Sequence, residues 1–82
     1  MLTRIEVRNL DPGLIASYLV DELEGRQSGQ VVDGLGWSVH MIRGQAAGVG
    51  KFRVPVLYLD ITGRRQPEVA AFLRRKTMRG GG

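Results

Sequence analysis

The run Phe52-Arg-Val-Pro-Val-Leu-Tyr-Leu-Asp-Ile61 does most to limit what this chain can become. Leu57, Leu59 and Ile61 share one side of an extended strand, and Val54, Val56 and Tyr58 share the other. A strand that is apolar on both sides has to be covered on both. A helix is therefore expected over one face and some other cover over the second. Pro55 interrupts the run. Lacking an amide hydrogen, it cannot donate to a ladder, which places it at an edge or a bulge.

The other elements are read from periodicity and punctuation. Ile5 and Val7 alternate with Arg4, Glu6 and Arg8, which predicts a first strand over residues 3–9. Asp11-Pro12 stops it and opens a helix, with Asp11 as a cap whose carboxylate accepts from free amides and Pro12 at the first helical position. Leu14, Ile15, Tyr18, Leu19 and Leu23 form that helix's apolar stripe, and Gly25 is expected to supply its left-handed terminal residue. Gln30-Val31-Val32 leads into Asp33-Gly34, a tight-turn dipeptide. Trp37, Val39 and Met41 then alternate as a second amphipathic strand, and Gly44 to Gly50 reads as a flexible connection. Gly63 ends the strong strand. A second helix starts at Pro67-Glu68 with Val69, Ala70, Phe72 and Leu73 as its core stripe. The order is β-α-β(3-4)-α, which predicts an α+β fold with an antiparallel sheet and two helices on one face.

Eighty-two residues make a single domain, 1–82, with a small core, and residues 79–82 read as a flexible glycine tail. The sequence has no cysteine, which excludes disulfides and sulfur-ligated metals and suits a reducing, cytoplasmic setting. No apolar run approaches the roughly 20 residues of a membrane-spanning helix, and no signal-peptide pattern opens the chain. A membrane is therefore not expected as a partner. The net charge of +4 is uneven. Six of the twelve basic residues lie between Gly63 and Gly82 with one acid, whereas the first helix ends on Asp21, Glu22 and Glu24. Acids there oppose the helix dipole. The basic C-terminal helix is the expected compensation, with Arg74 or Arg75 pairing to one of the three.

Several motifs invite a function. Gly44-Gln-Ala-Ala-Gly-Val-Gly-Lys51 resembles a phosphate-binding loop, but its first glycine is misplaced by one, Phe52 replaces the magnesium-binding hydroxyl, and a strand follows where a helix is needed. It is read as a hairpin loop. His40 is the only histidine. Ser38 and His40 on one strand share a face without meeting as nucleophile and base, and no ligand set for a metal accompanies them. No catalytic residue, cofactor or metal is expected, and the chain is not read as an enzyme. Trp37 is read as a core or half-buried anchor; Trp37 and His40 are the candidate partner surface if one lies on that strand. Arg74, Arg75, Lys76 and Arg79 form a candidate basic surface. Phosphate contacts are one reading of it, and a solvated, dipole-complementing helix end is the favoured one. The aromatics are few and fall mostly on apolar stripes, without basic interleaving. Met78-Arg79-Gly80-Gly81-Gly82 resembles the tails of ubiquitin-like modifiers and sulfur-carrier proteins, which makes Gly81 and Gly82 a candidate carrier tail. Glycines lack side chains, so such a tail can thread a narrow channel to an adenylating site.

Taken whole, the chain resembles the C-terminal domain of MoaD-related proteins. The resemblance runs through the first strand, the Asp11-Pro12 helix, Gly34-Leu35-Gly36-Trp37-Ser38, the Val49–Leu59 stretch and the terminal helix. It implies a fold similar to the TATA-binding-protein class and no assigned catalytic residues. The leading functional expectation is a non-catalytic accessory domain associated with molybdenum-cofactor or sulfur-carrier chemistry, with a protein partner or a second copy of itself. A carrier activated at Gly82 and a weak nucleic-acid binder are the alternatives.

Overall fold

A computed structural model describes residues 2–78, with residues 47 and 49 described by backbone alone. The elements are β1 (Thr3–Arg8), α1 (Pro12–Leu23), β2 (Arg26–Ser28), β3 (Val31–Gly34), β4 (Trp37–Arg43), β5 (Ala47–Val49), β6 (Phe52–Val54), β7 (Val56–Thr62) and α2 (Gln66–Thr77). Five strands form one antiparallel sheet in the order β1-β7-β4-β3-β2. The strands β5 and β6 pair with each other in a second, two-stranded sheet. The chain is an α+β fold.

The most apolar strand takes the position that uses it best. β7 is paired on both sides, so that Leu59 lies between Ile5 of β1 and Met41 of β4. Ile5, Val7, Val32, Trp37, Val39, Met41, Leu57, Leu59 and Ile61 make one buried cluster with Ile15, Ala16 and Leu19 of α1 and Val69, Ala70, Phe72 and Leu73 of α2. Each fully buried aliphatic side chain here contributes about 1.5–3 kcal/mol. The stripe expected on α2 is buried in full. On α1 the stripe is shifted, because Ala16 is buried while Leu14 is exposed.

Of the alternate residues on the same strands, Val56 is buried and the rest are polar or half-buried, and side chains supply their cover. The Arg4 guanidinium lies 4.9 Å from the centre of the Tyr58 ring, a cation–π contact that shields the ring while keeping the charge in water.

Three local expectations need correction. The left-handed residue closing α1 is Glu24, not Gly25. Gly25 is there for space, since a Cβ on it would come 2.7 Å from both Trp37 Cη2 and Val32 Cγ1. The turn between β3 and β4 is Leu35-Gly36, and Asp33-Gly34 is strand. Gly34 is again a matter of space, because its Cβ would sit 2.0 Å from the Trp37 ring. Finally, Asp11 makes no side-chain cap; its carbonyl accepts from Leu14 and Ile15 at 3.0 and 3.3 Å.

The two helices are joined by charge through a different residue from the one expected. Lys76 Nζ lies 2.8 Å from Glu22 Oε2, 5.4 Å from the centre of the Tyr18 ring and 5.7 Å from that of Phe72. Lys76 follows Phe72 and Leu73 by one helical turn and so shares their inward side, whereas Arg74 and Arg75 fall on the exposed side.

Candidate functional site

The stretch expected as a flexible connection and a hairpin loop contains strand β5, which pairs with β6 as a hairpin. In β5–β6, Ala47 pairs with Val54 and Val49 with Phe52, leaving Gly50-Lys51 as a two-residue turn. Gly50 has φ +61°, the left-handed value required at the first central position of a type II′ turn. The base of the hairpin is fixed on both sides. Asn9 donates its amide to the Pro55 carbonyl at 2.9 Å, and Gly44 donates to that of Val56 at 2.9 Å. Pro55 therefore separates β6 from β7, as a residue without an amide hydrogen can, and it lets the chain leave the main sheet.

The hairpin carries Lys51, Phe52 and Arg53 in sequence, all exposed, and Phe52 is 76 % exposed although it is a large apolar side chain. Between Arg43 and Leu59 there are three cations and no acid. Among the described residues, none of Arg43, Lys51 and Arg53 has a carboxylate partner, whereas Arg4, Arg8, Arg65 and Lys76 are each paired. An aromatic interleaved with basic side chains is thus present, against the expectation that the aromatics lack basic interleaving. Its signal was present in Lys51-Phe52-Arg53, but the period-two pattern assigned Phe52 to the strand beyond Pro55.

The candidates on β4 separate. Trp37 is 3 % exposed, so it is core and not a partner surface, because Gly25 and Gly34 make room for the indole against the sheet. His40 is exposed and lies across from Asp60. Ser38, His40 and Asp60 occupy alternate-face positions on neighbouring strands, yet they form no triad. Both Asp60 oxygens accept from Arg4, at 2.6 and 2.8 Å from Nε and Nη2. Among the described residues no cluster of three His, Cys, Asp or Glu side chains is placed to hold a metal.

The Arg4 hydrogen bonds hold the Asp60 carboxyl below its ordinary value of 3.8, against opposing desolvation and with smaller attractions from the Arg4 and His40 charges. A depressed folded value means that the pair's contribution is fully present above that ordinary value and is lost as pH falls through the folded one. Asp60→Asn is therefore expected to flatten the acid limb of stability below about pH 4. Thermal denaturation followed across that range checks this, and a variant profile parallel to the parent's would contradict it.

Of the basic C-terminal candidates, Lys76 is occupied by Glu22, and Arg74 lines a hollow of about 420 Å³ with Arg64 beside the start of α2. Arg75 is exposed without an ion-pair partner among the described residues. Arg79, Gly81 and Gly82 lie outside the described residues. No helix is long and apolar enough to cross a membrane among the described residues. Comparison of the sequence with known protein families and with curated proteins finds no match.

Proposed function

We propose that this chain is a non-catalytic recognition domain that meets its partner through hairpin β5–β6. The observation that carries this reading is an aromatic side chain held in water between two cations that have no carboxylate partner among the described residues, on a hairpin whose base is anchored to the ends of β1 and β4. Leaving a large apolar group exposed forgoes the burial that would stabilise the fold, so the position is better suited to contact than to packing. An accessory role beside molybdenum-cofactor or sulfur-carrier chemistry accords with the resemblance to the C-terminal domain of MoaD-related proteins. A TATA-binding-protein-like arrangement, with both helices on one face, accords with the single cluster that α1 and α2 share.

The test is site-specific cross-linking in intact cells. A photoreactive phenylalanine analogue replaces Phe52 in one sample and Leu35, which is 81 % exposed on the β3–β4 turn, in another. A discrete adduct from position 52 and none from position 35 is expected. Identical adduct patterns from both positions, or none from position 52, would overturn the reading.

A further inference from the structure

We propose that hairpin β5–β6 enters the major groove of duplex DNA, with Lys51 and Arg53 on backbone phosphates and Phe52 against the base edges. This rests on the reading of the hairpin as the contact element and names its ligand.

Charge selects a polyanion. The segment from Arg43 to Leu59 has three cations and no acid, and none of the three is neutralised by a neighbour among the described residues. Arg74 and Arg75 also have no ion-pair partner among the described residues, but no exposed aromatic stands between them. Asp11 shares a hollow with Arg43 at the hairpin base, so the anion contacts belong to Lys51 and Arg53, with Arg43 behind them.

Shape selects a groove. The strands are three residues each, which at about 3.3 Å per residue gives a ribbon reaching about 10 Å from its base. The major groove of B-form DNA is about 8.5 Å deep and about 12 Å wide, and it admits a two-stranded ribbon. A Cβ on Gly48 or Gly50 would have no atom within 4 Å, so the hairpin is slender and open around both glycines. An acidic protein fits less well. A stable protein interface takes roughly 800 Å² per partner from about 20–30 residues, and eight residues of narrow hairpin offer no concave apolar seat. A groove, by contrast, closes on a ribbon from both sides.

The experiment measures anisotropy of a short labelled DNA duplex against the whole chain at about 50 mM salt and upward. Saturable binding is expected, with a slope of log K on log salt of about −2 to −3, as two or three phosphate contacts require. Lys51→Ala with Arg53→Ala is expected to reduce that slope by about 2 units, while Arg74→Ala with Arg75→Ala leaves it unchanged. Phe52→Ala is expected to weaken binding at an unchanged slope. All these positions are exposed, and circular dichroism of each variant verifies that it folds.

No binding at low salt would overturn the proposal. So would equal affinity for the single strand or for polyglutamate, or a slope that follows Arg74 and Arg75. If DNA binding fails while the position-52 adduct persists on a protein, this inference falls and the recognition reading stands. If the adduct is also lost, both fall.

Discussion

Trp37→Ala is expected to destabilise the fold by about 3–5 kcal/mol, the cost of emptying a large aromatic site in a core. At about 0.05–0.15 kcal/mol per residue, a chain of this length has roughly 4–12 kcal/mol in all, so the variant will be largely unfolded or close to it. Three features put the effect at the upper end. The ring is 3 % exposed, it fills space that Gly25 and Gly34 leave open, and glycines have no side chains that could move in to close the gap. Trp37→Phe separates volume from polarity. The buried Nε1–H has no acceptor among the described residues, and an unpaired buried donor costs about 1–3 kcal/mol. Removing it offsets part of the lost packing, so Phe is expected to retain a cooperative transition. Urea denaturation of both variants checks the pair. An alanine variant within about 1 kcal/mol of the parent would contradict the account.

Gly63→Ala is expected to cost about 2–5 kcal/mol, from backbone strain and overpacking together. Gly63 has φ +106°, outside the range that a side chain tolerates. Its Cβ would also come 2.4 Å from the Gly36 carbonyl oxygen and 2.8 Å from Trp37 Cα. Both are main-chain atoms, and the Gly36 oxygen already accepts from the Arg65 amide at 3.0 Å while Arg65 Nη1 donates to Leu35 O at 3.1 Å. The β3–β4 turn is thus clamped to the start of α2 and cannot retreat. Gly29→Ala is the matched control, with φ +61° and nothing within 4 Å of its Cβ. It carries only the left-handed penalty of about 1–2 kcal/mol. Equal losses at the two positions would show that the clamp yields.

Much of this fold was legible because its signals are local. Val69, Ala70, Phe72 and Leu73 recur at helical spacing, and Leu57, Leu59 and Ile61 alternate, so their burial could be read within one element. What escaped depends on distant residues. Gly25 and Gly34 look like a cap and a turn in the chain, and only the indole brought against them from Trp37 shows that they are spacers. The short edge strand β2 has three exposed residues and no alternation to reveal it. Opposite charge on the two helices was readable, but which cation meets Glu22 depends on how α2 is rotated about its axis. The hairpin was hidden for a different reason. Alternation records which side of a strand a residue faces, not which sheet the strand belongs to, so Phe52 and Ile61 looked continuous across Pro55.

The buried indole also reports on every experiment above. It is the only tryptophan, it sits in the core away from water, and it lies on a different element from Lys51, Phe52 and Arg53. Its emission spectrum is therefore a gauge of core integrity that hairpin substitutions leave untouched. A hairpin variant that loses its ligand with the parent's emission maximum has lost a contact. One whose emission shifts to the red has lost its fold.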